Sequence, residues 1–413
     1  MHVSGNRLHR DLTALGEIGS RPEGGRTRLA LSAEDLQARS FLKGLMKEAG
    51  LTVRVDQAGN IIGHRAGKDE QLPIIAFGSH IDTVPNAGML DGCYGVMGAL
   101  EVMRTLNENH VETAHPLEMI CFSNEEGVRF PFHTGSKVAC GTLELDSAYA
   151  QSDAAGVTYR EALEAEGAPI GSLAPALRRR GEVKAWVELH IEQGPVLEKE
   201  GLKIGVVEAI VGLKHIMVEI LGETGHAGTV PMSGRRDPAI SAARLVLEVK
   251  WIASEIGDKS VATVGVIKVT PGAMNVIPKS VEVGIDLRDA ETARLENGAI
   301  MIKRAVDVLC DEGGVEYSLR ETASTAPALM SEKVVRMIEA SAVKLDAPCM
   351  RMPSGAGHDT QNMASICDVG MIFVPSRGGI SHAPEEYTSP EDLATGTDVL
   401  LNTVLELAKA PET

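Results

Sequence analysis

Five short segments carry imidazole and carboxylate side chains where an apolar stretch gives way to glycine, proline or polar residues. They are His80-Ile81-Asp82, Asp91-Gly92, Glu125-Glu126, His190-Ile191-Glu192-Gln193-Gly194 and Ser381-His382. In an α/β protein the carboxyl end of a strand is where ligands bind. Five such segments together predict a hydrolytic centre with two metal ions, because such a centre needs nitrogen and oxygen ligands around both cations.

Residue types and spacing suggest a different role in the metal centre for each of the first three segments. His80 and Asp82 would lie on the same face of an extended strand, so Asp82 could accept the proton of the second ring nitrogen of His80. The two oxygens of Asp91 could bridge two cations, although Asp91 could instead be the N-cap of the next helix. One carboxylate of Glu125 and Glu126 could bind metal while the other takes a proton from the attacking water. A solvated acidic turn is the alternative for this pair.

The other two segments add imidazoles. His190 stands in an apolar stretch with Glu192 two residues later, which makes it a ligand or a structural histidine with a carboxylate partner. His382 lies in a loop whose glycines allow close backbone approach. A mixed set of imidazoles and carboxylates favours zinc, manganese, cobalt or nickel over calcium or magnesium.

A second group of polar residues stands apart from these segments. His226, in a Gly-His-Ala-Gly sequence, could donate a hydrogen bond to an oxyanion or be a structural loop histidine. Arg288 could bind a substrate carboxylate through two hydrogen bonds, and a salt bridge to Asp286 or Asp289 is the alternative. Two further polar candidates lie in glycine-containing segments, Asn275 and His358.

Apolar patterns place these residues on alternating strands and helices, which predicts a mostly parallel sheet covered by helices. Three predicted buried strands end just before the polar segments or within them: 73–78, 117–122 and 186–191. Beyond Gly212 the predicted order β-α-β-β-α-β is that of a ferredoxin-like split motif. We therefore expect a discontinuous first domain, residues 1–211 and 329–413, interrupted by an inserted domain, residues 212–328.

Composition restricts the class of partner. The 413 residues carry a formal net charge of -17, which argues against nucleic acid and anionic membranes as partners. Apolar stretches fall short of the ~18 residues needed to cross a bilayer, and the N-terminus lacks the apolar core of a signal peptide. The six cysteines show no paired spacing. These features predict a cytoplasmic enzyme with reduced thiols.

The chain resembles the metal-dependent amidohydrolases of the M20 peptidase clan, and more narrowly the hydantoinase/carbamoylase branch. That branch contains N-carbamoyl-L-amino-acid hydrolases, β-ureidopropionases and allantoate amidohydrolases. The segments that carry the resemblance occur in the family's order: GSHIDTVPNAGMLDG (78–92), FSNEEGVRF (122–130), ELHIEQGPVLE (188–198), GHAGTVPMSGRRDP (225–238), PGAMNVIP (271–278), DLRD (286–289), SGAGHD (354–359) and SRGGISHAPEE (376–386). His190 is the most specific position, since the clan's peptidases usually have an acidic ligand there.

The resemblance implies a fold and a set of roles. The fold would be α/β, a zinc-peptidase-like mixed sheet with helices on both faces, plus an inserted ferredoxin-like α+β domain that serves as lid and homodimer interface. Two divalent metal ions would be held by five residues, His80 and His190 on one ion, Glu126 and His382 on the other, and Asp91 as the bridge. The remaining roles would be Glu125 as general base, Asp82 orienting His80, His226 and His358 at the tetrahedral intermediate, and Gln193, Asn275 and Arg288 at the substrate.

The activity implied is hydrolysis of the carbamoyl C–N bond of an N-carbamoyl-L-amino acid, which yields the amino acid, ammonia and carbon dioxide. The alternatives are allantoate or another ureide, and N-carbamoyl-β-alanine. A peptidase of the same clan is disfavoured by His190, and a metal-binding protein without catalysis is disfavoured by Glu125. Lys214 stands near the place where allantoate amidohydrolases favour an arginine-rich pair, so it could bind a second acidic group of the substrate or face solvent.

Overall fold

Two compact units make up the chain. The computed structural model describes residues 1–22, 24–167 and 170–410. Contacts between Cα atoms divide the chain into a first unit, Met1–Glu208 with Met330–Thr413, and a second unit, Ala209–Leu329. The second unit is thus inserted into the first. No helix in the described residues is both long and apolar enough to cross a membrane.

The first unit alternates helices and strands along most of its length. Its helices are α1 (Gly5–Glu17), α2 (Ala33–Glu48), α3 (Cys93–Glu108), α4 (Thr134–Ala139), α5 (Leu145–Tyr149), α6 (Tyr159–Glu164), α7 (Val196–Glu200), α10 (Glu332–Lys344), α11 (Thr360–Met363) and α12 (Pro390–Leu407). Its strands are β1 (Thr52–Val55), β2 (Ile61–Arg65), β3 (Ile74–His80), β4 (Leu117–Phe122), β5 (Val183–Ile191), β6 (Ile204–Ile210), β14 (Cys349–Ser354) and β15 (Asp368–Val374). Short 3₁₀ turns cover Ile170–Ser172 and Arg377–Gly379.

The sheet of the first unit is mixed, in the order β1-β2-β4-β3-β5-β15-β6, with β14 also paired to β6. The central strands β4, β3, β5 and β15 are parallel. The flanking pairs β1–β2, β2–β4 and β15–β6 are antiparallel. The prediction of a mostly parallel sheet therefore holds for the centre and is wrong at the edges.

Burial explains why the central strands are so apolar. Every residue of β4 is buried, as is every residue of β3 after its first, so helices must cover both faces of the sheet. Helix α3 is buried on nearly all sides. Helix α12 begins with Ser389 as N-cap, whose hydroxyl accepts the Asp392 N–H, and with Pro390 in its first turn. The carboxyl ends of the four central strands are thereby fixed by a packed core.

The second unit is a four-stranded antiparallel sheet with two long helices. Its elements are β7 (Gly212–Leu221), β8 (Gly225–His226), α8 (Pro238–Ile256), β9 (Val261–Thr270), β10 (Val276–Ile277), β11 (Ser280–Asp289), α9 (Thr292–Gly313), β12 (Glu316–Thr325) and β13 (Ala328–Leu329). The sheet order β12-β7-β11-β9 with both helices between strands is the ferredoxin-like arrangement. Residues of β7, β11 and both helices form its core, including Val218, Leu245, Val283 and Ile302.

Candidate active site

Four neighbouring strands bring most of the predicted ligands to one edge of the sheet. His80 is the last residue of β3 and His190 lies next to the end of β5. Glu125 and Glu126 follow β4, and His382 follows β15. Because β4, β3, β5 and β15 are parallel neighbours, their carboxyl ends meet.

Asp91 lies at the centre of the cluster. Its Oδ1 is 3.2 Å from His190 Nε2 and 3.8 Å from His80 Nε2. Its Oδ2 is 2.9 Å from His382 Nε2, which in turn is 3.9 Å from Glu126 Oε2. The two oxygens of the Asp91 carboxylate thus face two different sets of candidate metal ligands.

The candidate metal ligands form two groups that share Asp91. His80, Asp91 and His190 make one group, and Asp91, Glu126 and His382 make the other. Within each group the ligand atoms lie within 4.8 Å of one another. The first group is buried, whereas the side chain of His382 is 51% exposed. The two groups have the same members as the two ligand sets that the resemblance implied, and their binding of metal stays a prediction.

Main-chain contacts prepare the two buried imidazoles for ligation. His80 Nδ1 lies 3.0 Å from the carbonyl oxygen of Asp82, and His190 Nδ1 lies 2.9 Å from that of Ile191. A carbonyl only accepts, so both rings donate from Nδ1 and turn Nε2, the nitrogen that can carry a proton or a metal ion, towards Asp91. The Gly92 nitrogen also lies 3.1 Å from His190 Nε2.

The charges of the cluster fit bound cations. Burial, Glu126 and Asp359 raise the pKa of Glu125 well above its ordinary value, and burial and Asp91 do the same for Glu126. Glu126 Oε1 is buried and has no hydrogen-bond partner among the described residues. Cations among these carboxylates would offset the repulsion and occupy that oxygen. The residues therefore fit two divalent metal ions.

The pKa of His190 also indicates that the cluster favours a positive charge. Burial is the largest single effect and lowers the pKa of His190, but the hydrogen bond and charge of Asp91, the charge of Glu188 and the Ile191 carbonyl together raise this pKa to about 8. Burial lowers the pKa of His80 to about 4, so that ring is neutral. A proton and a metal ion compete for the same Nε2 lone pair, so metal binding here should release a proton.

Asp82 differs from the prediction in how it contacts His80. It holds the ring with its carbonyl oxygen, while its carboxylate Oδ1 lies 3.8 Å from His80 Nδ1. The carboxylate accepts the N–H groups of Glu125 and Glu126, each over 3.2 Å. The reason is that β3 ends at His80, so the extended geometry assumed for this pair does not continue to Asp82.

Glu192 also accepts hydrogen bonds from backbone N–H groups and not from an imidazole. Its two carboxylate oxygens accept the N–H groups of Val196 and Leu197 at 2.7 and 2.9 Å, in the first turn of α7. The predicted pairing of His190 with Glu192 is therefore wrong, because β5 ends at Ile191 and the carbonyl there takes the ring proton. Likewise, the N-cap of α3 is Gly92, so the alternative reading of Asp91 as N-cap is wrong.

Two functional residues had no clear signal in the sequence. Glu386 accepts the N–H groups of Leu90 and Asp91 at 2.7 and 3.2 Å and the hydroxyl of Ser381 at 2.9 Å. It thereby ties the loop of the bridging carboxylate to the loop of His382. His133 Nε2 lies 2.7 Å from Glu125 Oε1. Glu386 could have been suspected from the SHAPEE segment, whereas His133 is recognisable only in three dimensions.

Gln193 and His358 lie close to the cluster. The Gln193 amide donates to Asp91 Oδ2 over 2.9 Å, while its buried Oε1 has no partner among the described residues. The His358 ring lies 4.6 Å from the His190 ring, and its Nε2 is 2.9 Å from Ser354 Oγ. Burial and His190 lower the pKa of His358 well below its ordinary value, so this ring is neutral. Their predicted contacts with substrate and intermediate stay predictions.

A cleft of about 480 Å³ opens beside the cluster. Its lining combines site residues with apolar side chains, among them Gln193, Ser381, His382, Val196, Met352 and Phe373. The size suits a small molecule with one apolar substituent.

The predicted substrate residues of the second unit lie in two different settings. His226 and Asn275 are exposed neighbours in the β8–β10 ribbon, where the Ala227 N–H donates to the Asn275 carbonyl over 3.0 Å. Arg288 is held by Asp286 through Nε at 2.9 Å and Nη2 at 2.8 Å. The salt bridge weighed for Arg288 is thus present, and a substrate contact stays a prediction.

Lys214 does not face solvent, so that alternative is wrong. Its side chain is only 7% exposed, and its ammonium lies 2.9 Å from Glu296 and 2.8 Å from Glu321. These two carboxylates, which burial only partly opposes, raise its pKa. As for Arg288, a contact of Lys214 with the substrate stays a prediction.

Comparison with known proteins identifies the family. The model of peptidase family M20/M25/M40 matches residues 76–406. The N-carbamoyl-L-amino acid amidohydrolase of Geobacillus stearothermophilus is 41% identical over 408 residues, 98% of this chain and 99% of that protein. The chain belongs to the M20 peptidase family.

Other relatives narrow the place within this family. The allantoate amidohydrolase of Bacillus subtilis is 35% identical and covers 95% of both chains. The crystal structure of a hydantoinase/carbamoylase family amidase from Burkholderia multivorans superimposes with a TM-score of 0.95 at 36% identity, over 100% of this chain and 99% of that one. The predicted fold class is confirmed, and the chain is an amidohydrolase that acts on non-peptide C–N bonds.

Proposed function

We propose that the protein is a two-metal hydrolase that cleaves the carbamoyl C–N bond of an N-carbamoyl-L-amino acid. The observation that carries this is the pair of three-residue groups sharing Asp91, with Glu125 beside them and outside both groups. Relatives that hydrolyse such bonds match the chain over nearly its whole length. The metal is zinc, manganese, cobalt or nickel, as the imidazole and carboxylate ligands favour.

Each residue of the site then has a chemical task. Two bound cations would lower the pKa of water and polarise the carbonyl oxygen of the substrate. Glu125 takes the proton of the attacking water and later delivers it to the departing nitrogen. Neutral His358, and His226 of the second unit, donate hydrogen bonds to the developing oxyanion. Asp82, through its contacts with His80 and the Glu125 N–H, keeps ligand and base in fixed positions.

The charges around Lys214 bear on the choice between allantoate and an N-carbamoyl-L-amino acid. Allantoate would be served by an additional cationic side chain near the second acidic group, and Lys214 was the candidate for this in the sequence. Because Glu296 and Glu321 already pair with Lys214, its charge gives allantoate little support. The substrate that we propose has a single carboxylate, for which Asn275 and Arg288 are the proposed partners.

A screen for ammonia release tests the proposed function. Metal-loaded enzyme is incubated with N-carbamoyl-L-amino acids, N-carbamoyl-β-alanine and allantoate, and metal-free enzyme is the control. We expect kcat/KM to be highest for an N-carbamoyl-L-amino acid with an apolar side chain. Preference for allantoate or for the β-alanine derivative would replace the substrate and keep the reaction class, whereas no release from any of them would overturn the proposal.

The second unit supports a homodimer. Strand β9 is the edge of its sheet and exposes Val266 and Ile267, which are 44% and 57% exposed. Helix α8, which packs beside β9, exposes Leu247 at 71% and Trp251 at 54%. An open strand edge with exposed apolar neighbours is a site for association of two copies. Sedimentation should give a dimer that Ile267→Lys converts to a monomer.

The thiols support the predicted cytoplasmic location. All six cysteines lie in the described residues and none of them forms a disulfide. Four of the six are buried. We propose a reducing compartment for the enzyme, in which such thiols persist.

A further inference from the structure

His133 touches the proposed base from the side opposite the ligands. Its Nε2 lies 2.7 Å from Glu125 Oε1, whereas Glu125 Oε2 lies 3.6 Å from His80 Nε2. The ring is 2% exposed and stacks on Phe132 with 3.5 Å between ring centroids. One oxygen of the base is thus held away from the metal groups while the other faces them.

The neighbours of His133 define which nitrogen carries the proton. The Asn362 amide nitrogen lies 3.2 Å from His133 Nδ1 and 2.9 Å from Ser136 Oγ. An amide nitrogen only donates, so Nδ1 accepts and Nε2–H donates to Glu125. Burial, helped by Lys137 and His80, lowers the pKa of His133 well below its ordinary value, so the ring is neutral.

The backbone prevents His133 from moving away. Its N–H donates to the Glu125 carbonyl over 3.1 Å, and the Thr134 and Gly135 N–H groups donate to the carbonyls of Asn124 and Ser123. His133 itself has φ of 61°. Few side chains occupy this left-handed region, and histidine is among those enriched there. Three backbone hydrogen bonds therefore join residues 133–135 to residues 123–125, the loop that carries Glu125.

We propose that His133 is a positioning residue for Glu125, which it holds so that Oε2 alone exchanges the proton of the reaction. This inference rests on the proposed function, in which Glu125 is the general base. A hydrogen bond to one carboxylate oxygen fixes the torsion of the side chain and leaves the second oxygen as the proton acceptor. Asn362 donates a hydrogen bond to His133 Nδ1 and thereby keeps the ring proton on Nε2.

The kinetic test compares three variants in the metal-loaded enzyme. His133→Phe keeps an aromatic ring and removes the N–H, and it should lower kcat roughly 10- to 100-fold with little change in KM, the loss typical of a hydrogen bond to a charged group. His133→Gln, which can present an amide N–H to Glu125, should recover part of kcat. Asn362→Leu should lower kcat several-fold, because His133 Nδ1 then loses its donor and the ring proton is free to occupy that nitrogen. Metal content should be unchanged in all three.

His64→Phe is the matched control. His64 also faces a buried carboxylate, with Nδ1 3.4 Å from Glu118, but it lies on β2 outside the site. It should keep the kcat of the parent enzyme. If His133→Phe and Asn362→Leu also keep it while the parent enzyme is active, the positioning role is wrong.

A structural readout separates this inference from the proposed function. Crystal structures of the metal-loaded parent and of His133→Phe, without substrate, should show Glu125 turned away from its original position in the variant. An unmoved Glu125 in His133→Phe would overturn the positioning role whatever the substrate is. A parent enzyme that is inactive on all substrates would instead overturn the proposed function and leave the crystallographic comparison decisive for His133.

Discussion

Asp91 shows how the surroundings of a single side chain decide its part in the chemistry. Burial alone would raise the pKa of this carboxyl, but hydrogen bonds from His190 and His382 hold the pKa well below its ordinary value. Its neighbour in the site, Glu125, has the opposite shift, because burial and the nearby carboxylates raise its pKa. The residue that should stay ionised as a bridge and the residue that should exchange protons are thus separated by environment.

Arg288 is the residue on which the proposed substrate class depends. Arg288→Gln should raise KM for an N-carbamoyl-L-amino acid roughly 10- to 100-fold, because a charge-assisted hydrogen bond contributes about 1.5–3 kcal/mol. The KM for the corresponding N-carbamoyl amino acid amide, which keeps the scissile bond and has a carboxamide in place of the carboxylate, should not change. The measurement is steady-state ammonia release with both substrates.

Arg294→Gln is the control for this prediction. Arg294 is paired with Asp289 and Glu291 in the same unit, so its loss removes a comparable surface charge. An equal rise of KM for acid and amide in Arg288→Gln, or the same rise in Arg294→Gln, would contradict a contact with the substrate carboxylate.

Residue types could be predicted better than their partners. His80 and Glu126 were recognisable because they stand at or after the ends of apolar strands, and Asp91 because it precedes the next helix. The partners of His80 and His190 were not, since both strands end at or just beyond the histidine and main-chain carbonyls replace the expected carboxylates. His133 and Glu386 depend on contacts between distant segments, which local spacing does not encode.

At the scale of elements, the turn between Asp91 and α3 packs closely against His80. Gly92 has φ of +63°, and a Cβ built on it would lie 2.4 Å from the ring of His80. The helix can begin directly after the bridging carboxylate only because this position has no side chain.

Gly92→Ala should therefore reduce both metal content and stability. The left-handed backbone costs roughly 1–2 kcal/mol for alanine, and overpacking against His80 adds roughly 1–3 kcal/mol. The measurements are metal stoichiometry and urea unfolding. The control is Gly44→Ala in α2, where nothing lies within 4 Å of the added Cβ and stability should rise by roughly 0.5–1 kcal/mol. A fully metal-loaded Gly92→Ala of unchanged stability would contradict this account.

Elements with strong periodicity followed the sequence closely. Strand β4 has the predicted bounds, 117–122, and strands β3 and β5 overlap the predicted strands 73–78 and 186–191. Strands β1, β2 and β6 were not predicted, because β1 and β2 have only four and five residues and β6 pairs antiparallel beyond the parallel centre. The short helices between residues 134 and 164 are held by packing around Tyr159 and Leu163 and have too few turns for a clear period.

At the scale of the whole molecule, metal binding should couple to stability in a pH-dependent way. The raised pKa values of Glu125 and Glu126 mean that the folded, metal-free protein binds more protons than the unfolded chain. Its stability therefore falls as pH rises towards those pKa values. Cations remove this cost by replacing the protons.

Thermal unfolding at pH 6 and pH 8 tests this coupling. Saturating metal should raise Tm by roughly 3–10 °C, the range expected in a chain of this length for one or two ions at 100–1,000 times their Kd. The rise should be larger at pH 8 than at pH 6, because more carboxylates are then ionised in the metal-free protein. An equal or smaller rise at pH 8 would contradict the assignment of the carboxylates.

The central claim is that Glu125 is the base and is not a metal ligand. Glu125→Gln keeps the shape of the side chain and removes its ability to take a proton, so the most direct measurement is metal content and ammonia release of this variant together. The account predicts the metal stoichiometry of the parent enzyme and a loss of kcat of roughly 100-fold or more. Normal turnover, or turnover lost together with one of the metal ions, would contradict it.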